Sequence, residues 1–521
     1  MKLEERADVI VVGSGATGSH MAARLAEAGK EVLILEAGPE RNLSSLVSSP
    51  IWSRRLKWSG PPVEESGDHP VGQVFNSGYG VGGSAMHHFA VWPRFHENEF
   101  TVHSDEGLGL DWPISYDDLR PWYDKVQAEC GISGDARGEV WRPAGDDYPM
   151  APVPVFAQGA AIAEGFHQLD MQTSALPLAV TSSPYKGRTA CIWDGWCDAG
   201  CPIGALANPL TIHLPIAIAA GASLRANATV RRMLVKNGRA TAVEVVDTND
   251  PSMVRTVHAD VVVLAAFTVQ NARILLASAS DEHPYGLGNR HDQVGRYLMT
   301  HVAAPVFGLF EQKTTPHLGA TGGQLLNQQH YDDKQAFRDQ GAFGSYQWMI
   351  AQAMKPTDLL GIAPSRADLF GQALEEFMQR SAKHFGMMTG VIEDLPLVEN
   401  RVMLSELKDQ FGMPLAHCAH SASAETRALF DAAINEGRRV FEAAGAVEVW
   451  SGGPGPMHIM GGTIMGDNEK TSVTNSFGQV HGIPNLVICG PSLFPTSGGV
   501  NPTFTAHALT ARSADKLLNA N

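Results

Sequence analysis

The chain has 521 residues, 44% of them hydrophobic and 18% charged, and a formal net charge of −16 at pH 7. That length exceeds the size at which a single hydrophobic core usually stops growing, so two interlocked domains are expected. The acidic balance, without any block of clustered Lys and Arg, excludes nucleic acid as a partner, and no apolar run reaches the roughly 18 residues needed to span a bilayer.

Met1 to Arg6 lead straight into an apolar run without a charged, apolar and small-residue succession, so no cleavable export signal is expected. Ala7 to Val12 are short, apolar and β-branched, which predicts a buried parallel strand. The strand runs into Gly13-Ser14-Gly15-Ala16-Thr17-Gly18, a GxGxxG turn. A helix from Thr17 to Ala28, a stop at Gly29 and a second strand from Glu31 to Leu35 ending at Glu36 follow in order. The chemistry uses each part. Gly13 permits the tight turn, Gly15 lets the backbone approach a pyrophosphate, and Gly18 allows close helix-to-strand packing. Ala16 and Thr17 open the helix whose N-terminus meets the phosphates, and Glu36 can accept hydrogen bonds from ribose hydroxyls. Without this context the glycines could form an ordinary turn; with it they read as a dinucleotide site. FAD and NAD both satisfy the pattern.

Further along come Tyr79-Gly80-Val81-Gly82-Gly83-Ser84 with His87, then Gly109-Leu110-Asp111-Trp112-Pro113-Ile114 and Tyr116-Asp117-Asp118-Leu119. Six cysteines are too few for a disulfide framework, but Cys191, Cys197 and Cys201 share one loop rich in Gly, Asp and Trp. Thiolates are soft ligands that suit zinc or an iron–sulfur cluster. Zinc would need a fourth ligand such as His213, and three unmodified thiols are the remaining reading. Cys130, Cys418 and Cys489 are isolated and read as small buried apolar residues. Leu264-Ala265-Ala266 precedes Asn271 to Leu276, Val294 to His301 follow, and Glu399-Asn400-Arg401-Val402 stands ahead of Asp409, Gly412 and Pro414. Near the C-terminus lie His458, in Pro456 to Thr463, and Pro495-Thr496 with Gly498-Gly499-Val500-Asn501-Pro502-Thr503.

Taken in order, these segments resemble the glucose-methanol-choline (GMC) family of flavin oxidoreductases, from residue 7 to about 515. Gly109 to Leu119 and Cys201-Pro202-Ile203-Gly204-Ala205 carry a narrower resemblance to the catalytic subunits of bacterial FAD-dependent glucose, fructose and gluconate dehydrogenases. One departure is Phe267, where that family commonly has glycine or another small residue.

The resemblance implies an α/β chain with a Rossmann-like FAD-binding domain assembled from 1–100, 190–300 and 445–521. A sheet-and-helix substrate domain would comprise 101–189 and 301–444, and the loop 186–205 would hold a [3Fe-4S] cluster on Cys191, Cys197 and Cys201. It assigns FAD to Gly13, Gly15, Ala16, Thr17, Gly18, Glu36, Gly82, Gly83, Ser84, His87, Ala265, Pro502 and Thr503. Noncovalent FAD is expected, although His87 stands at the spacing where pyranose oxidases attach theirs. His458 becomes the base that takes the hydroxyl proton, a task suited to an imidazole near neutral pH. Asn501, where many members have a second histidine, would orient the substrate oxygen; it equally reads as a helix cap ahead of Pro502. His88 and His507 read as structural. The implied activity is removal of a hydride from a sugar or other alcohol, either at C1 or at C3 of a glycoside, with electrons leaving through the cluster. A flavin oxidase, a dehydrogenase of a non-sugar alcohol, and a non-catalytic flavin and iron–sulfur redox sensor are the alternatives. The implied partners are a small companion subunit and a c-type cytochrome. A companion bearing the export signal would place the chain in the periplasm and at the membrane; otherwise it is cytoplasmic.

Overall fold

The computed structural model describes residues 6–57 and 60–519, so Met1 to Glu5 of the N-terminal reading lie outside the described residues. The first apolar run forms the strand Arg6–Val12, and its alternation splits it between two cores. Ile10 and Val12 enter one apolar cluster, while Val9 and Val11 pack with Met21 and Leu25 of the following helix Ala16–Glu27. Burial on both faces is what makes the run continuous rather than alternating in hydropathy.

This strand lies inside an eight-stranded sheet. It pairs in parallel with Val32–Leu35 on one side and with Asp250–Leu264 on the other, and Ser223–Arg225 and Ile483–Ile488 extend the parallel array outward. Ala228–Lys236 and Arg239–Asp247 form an antiparallel arm against Asp250–Leu264. Gly13 leaves the first strand at φ +100°, and a Cβ there would sit 2.4 Å from the Ala265 carbonyl oxygen. A Cβ on Gly18 would sit 2.1 Å from the Gly13 carbonyl oxygen, so the helix can press against the turn only with glycine at both positions.

A seven-stranded sheet forms the second layer, with Met299–Leu309 paired to Phe385–Ile392 and onward to Tyr346–Ile350, Leu325–Asn327 and Ser174–Ala175. The helix Ala424–Ala443 lies across it, with Leu429, Ala433, Val440 and Phe441 packed on Val306, Trp348 and Met388. A third small sheet joins the hairpin Arg401–Lys408 and Pro414–Ala419 to Val63–Ser66. No helix among the described residues is long and apolar enough to cross a membrane.

One segment departs from the sequence-based partition. Glu448–Ser451 and Gly455–Met460, inside the stretch 445–521, pair with Met299–Leu309 of the second sheet. Strand periodicity marks these residues as strands but carries no information about which sheet edge has unpaired N–H and C=O groups to receive them. The consequence is functional, because this pairing carries His458 to the junction of the two sheets.

Candidate active site

A cavity of about 360 Å³ opens between the two large sheets. Its wall includes Gly13, Gly15, Ala16, Thr17, Glu36, Gly83, Ser84, His87, Ala265, Pro502 and Thr503. His458 and Asn501 stand on the same wall. Of the residues assigned to the cofactor by sequence, Gly18 and Gly82 are off the wall. Gly18 packs the helix on the turn, and Gly82, at φ +94°, donates its N–H to Ser14 Oγ at 3.3 Å.

The residues present fit FAD. A Cβ on Gly15 would meet nothing within 4 Å, so the backbone there faces open space. Gly15 caps the helix without any side-chain hydrogen bond and the first turn holds no acid, which leaves helix N–H groups for a pyrophosphate. His87 is buried against the cavity with its Nε2 unpartnered, and burial lowers its pKa to about 3. Glu36 already accepts from Ser14 N–H and Oγ at 3.1 and 2.7 Å and from Gly38 N–H at 2.9 Å, so it braces the glycine turns as well as facing the cavity. Phe267 also lines the cavity and adopts φ +78°. A left-handed φ is open to glycine and costs a larger residue of order 1–3 kcal/mol, which gives the departure at Phe267 a physical address.

The strand Gly455–Met460 is bulged against Met299–Leu309 between Met457 and Ile459, and the bulged residue is His458, at φ +58°. Bulges re-aim a side chain beside a site, and this one turns the imidazole into the cavity. His458 Nδ1 lies 3.0 Å from His301 Nδ1, and His301 Nε2 lies 2.7 and 3.1 Å from the Gly498 and Ser497 carbonyl oxygens. Carbonyls only accept, so His301 Nε2 carries the proton and donates. Burial first, only partly offset by those carbonyls, lowers the pKa of His301 to about 4, so the ring is neutral and its Nδ1 is bare. His458 Nδ1–H must therefore donate to it. That leaves a bare lone pair on His458 Nε2, which accepts from Asn501 Nδ2 at 3.1 Å. Asn501 is held in this orientation because its Oδ1 accepts from Gln347 Nε2 at 2.6 Å. The arrangement presents one accepting nitrogen and one amide to the cavity, with tautomer and rotamer fixed from behind.

The cysteine loop lies on the other side of an apolar wall. Cys197 and the partly buried Cys201 pack in the same cluster as Val91, Met349 and Met457, and these three also line the cavity. Backbone N–H groups face each sulfur: Trp193 at Cys191 at 3.4 Å, Thr321 at Cys197, and Gly204, Ala205 and Leu206 at Cys201. Burial pushes the thiols of Cys191 and Cys197 up to about 12. Among the described residues, the one group of three His, Cys, Asp or Glu ligand atoms lying within 4.8 Å of one another is His20, His213 and His507. His213 lies with His20 and His507, and among the described residues it forms no such group with the three cysteines.

Family models described as GMC oxidoreductase match residues 7–303 and 396–510. The chain belongs to the GMC oxidoreductase family. It is an FAD-dependent oxidoreductase acting on CH–OH donors. Across 98% of its length it is 32% identical to 2-methyl-1,2-propanediol dehydrogenase of Mycolicibacterium austroafricanum, covering 95% of that protein. It is 30% identical to the fructose dehydrogenase large subunit of Gluconobacter japonicus, covering 98% of both chains. Among solved structures, pyridoxine 4-oxidase from Mesorbium loti shares the fold, with a TM-score of 0.68 and 17% identity over 99% of this chain and 100% of that one.

Sequence reasoning missed His301 and Gln347 in this GMC oxidoreductase. The signal for His301 was present, since it ends the Val294 to His301 segment, but a contiguous motif does not say which distant side chain its last residue meets.

Buried imidazoles also set the acid limit of the fold. Burial lowers His87 to about 3 and His88 and His301 to about 4, and it holds His458 well below 6.5. Their folded values are depressed, so below the ordinary value of 6.5 the unfolded chain binds more protons than the folded one. The stability from keeping these rings neutral is whole above that pH and is lost as pH falls through it. Glu99 and Glu139, raised to about 7 by burial, act in the opposite sense, but His20, His69, His481 and His507 are depressed as well and add to the loss. The melting temperature of the holoprotein is expected to drop steeply as pH is lowered from 6.5 towards 4; a melting temperature that is flat across this range contradicts the reading.

Proposed function

We propose that this enzyme is a dehydrogenase of a hydroxyl group on a sugar, glycoside or related polyol, passing electrons through an iron–sulfur cluster to an external acceptor. The observation that carries the chemistry is the bare Nε2 of His458 beside the Asn501 amide on the wall of the FAD cavity. FAD, when bound, supplies the hydride acceptor. The substrate hydroxyl displaces the Asn501 amide from His458 Nε2, which takes the hydroxyl proton as the C–H bond breaks, and Asn501 Nδ2 then donates to the substrate oxygen and fixes its position. Val91, Met349 and Met457 keep that end of the cavity dry, which strengthens both interactions.

Three observations support the cluster. Three thiols share one loop, backbone N–H groups face their sulfurs, and the loop packs on the cavity wall. A bound cluster supplies one-electron transfer out of the site. The likeness to the fructose dehydrogenase large subunit and to the gluconate 2-dehydrogenase flavoprotein of Pantoea cypripedii supports a companion subunit, and a c-type cytochrome would serve as the acceptor. Through such a companion the chain would reach the periplasmic membrane face. A second reading, a small branched diol as substrate, is favoured by the apolar Val91, Met349 and Met457 wall and by the diol-dehydrogenase relative.

The test is the anaerobic visible spectrum of purified holoenzyme with iron and sulfide analysis. Bleaching of the flavin by glucose but not methyl glucoside marks oxidation at C1, and bleaching by both marks a ring hydroxyl. Bleaching by 2-methyl-1,2-propanediol alone selects the second reading. Iron at three per chain that is lost in Cys197→Ser is expected. An iron-free enzyme that returns electrons to oxygen as peroxide would overturn the dehydrogenase reading in favour of an oxidase.

A further inference from the structure

The Asn501 amide is one member of a longer chain of buried amides. Its Oδ1 accepts from Gln347 Nε2 at 2.6 Å, and Gln347 Oε1 accepts from Gln328 Nε2 at 3.2 Å. Gln347 lies on the strand Tyr346–Ile350 and is 0% exposed; Gln328 follows the strand Leu325–Asn327 and is 1% exposed. Neither lines the FAD cavity, so whatever they do for the reaction passes through Asn501.

Their direction is set from the opposite end of the site. The Ser497 and Gly498 carbonyls only accept, which makes His301 Nε2 a donor, His458 Nδ1 the next donor and His458 Nε2 an acceptor. Asn501 must then turn Nδ2 to His458 and Oδ1 to Gln347. By the same rule Gln347 turns Nε2 to Asn501 and Oε1 to Gln328, which donates. One polarity runs through two imidazoles and three amides.

That polarity matters most during the reaction. In the free enzyme the bare His458 Nε2 by itself selects the Asn501 N–H. Once Nε2 has taken the hydroxyl proton it is a donor, and an amide free to rotate gains by turning its oxygen to the imidazolium. The substrate oxygen would then lose its second donor when it carries the most charge. Gln347 opposes this turn, because a reversed Asn501 would set Nδ2 against Gln347 Nε2, two donors at a 2.6 Å contact. A reversed Gln347 would meet Gln328 Nε2 in the same way. Gln328 Oε1 is buried without a partner, so the outer end does not by itself forbid reversal. The obstacle is that three packed amides must turn together.

We propose that Gln347 and Gln328 are positioning residues that keep the Asn501 amide a donor to the substrate oxygen after His458 has become an imidazolium. This rests on the proposed role of His458 as base and adds the groups that hold its partner in line.

The test compares holoenzyme variants by stopped-flow flavin bleaching with glucose and with 2-methyl-1,2-propanediol. Gln347→Leu is expected to lower the rate at saturation about 10- to 100-fold, the range for the outer partner of an active group, with KM and FAD content near wild type. Gln347→Glu separates polarity from packing. Its carboxyl, when neutral, still donates to Asn501 Oδ1 and accepts from Gln328; when ionised it only accepts and draws Asn501 Nδ2 towards itself. Burial raises a carboxyl pKa, so this variant should lose rate through an alkaline limb that wild type and Gln347→Leu lack. Lys334, Glu99 and Glu393, which meet Ser345 two residues before Gln347, are common to all three enzymes and cancel in the comparison. An unchanged rate in Gln347→Leu, or a Gln347→Glu profile parallel to wild type, overturns the proposal. A His458→Ala enzyme of full activity removes the base and the proposal with it, so the two failures are told apart. If a variant fails to fold, or neither donor bleaches the flavin, neutron diffraction from deuterated wild-type crystals decides. Deuterons on Gln328 Nε2 facing Gln347 and on Gln347 Nε2 facing Asn501 uphold the chain, and either amide reversed overturns it.

Discussion

Replacing His458 with alanine is expected to lower turnover by about 10²- to 10⁴-fold, the usual contribution of a positioned base, while leaving the FAD content unchanged. The size follows from the absence of a substitute. The neighbour that reaches the same point in the cavity is Asn501, whose amide cannot take a proton at any working pH. His301 stands behind, but its Nε2 is tied to the Gly498 and Ser497 carbonyls and its Nδ1 is turned towards His458 rather than the cavity. FAD content should hold because the glycine turn, the helix beginning at Ala16 and the His87 wall are all independent of the bulge that carries His458. The measurement is stopped-flow flavin bleaching at saturating substrate beside an absorbance ratio for bound flavin. Wild-type bleaching rates in a fully flavinated variant would remove His458 from the mechanism.

The second large effect is expected at His301, a positioning residue rather than a catalytic one. His301→Leu should lower kcat by about 10²-fold with a much smaller change in KM, the range seen when the outer partner of an active imidazole is removed. Leucine leaves His458 Nδ1–H buried without an acceptor. The ring then gains by moving its proton to Nε2, which masks the lone pair that faces the substrate. After burial, a Coulombic contribution from His301, present only at pH low enough to protonate that ring, also helps to depress the His458 pKa. Removing it should raise that pKa, so the acid limb of the kcat/KM profile should move to higher pH. The base works unprotonated, so activity in both enzymes falls as pH drops through that value. His301→Asn keeps an acceptor near the Nδ1 position and should recover part of the rate. A merely structural His301 would lower the folded fraction without moving the acid limb and without rescue by asparagine.

Much of this molecule was legible along the chain. The strand Arg6–Val12, the glycine turn and the acid Glu36 follow from contiguous residues, because hydropathy period, glycine conformation and helix-start chemistry act over a few residues. The order of GMC-like segments fixed the family, and the cavity wall carries most of the residues those segments named. What the sequence left open were the meetings of distant side chains. His301 and His458 are 157 positions apart, and His20 and His507 are 487 apart. His507 read as structural and His213 as a spare ligand for the cysteines, because an isolated histidine has no periodicity and no local partner to reveal its role. Nor does any residue near His458 announce the bulge, which arises only when Gly455–Met460 takes the free edge of Met299–Leu309 out of register. Local sequence therefore determined the elements and the cofactor class, and it nominated His458 as the base. Only tertiary packing decided which nitrogen of that base is bare, since a tautomer is set by whichever buried donors and acceptors two sheets happen to bring within 3 Å of the ring.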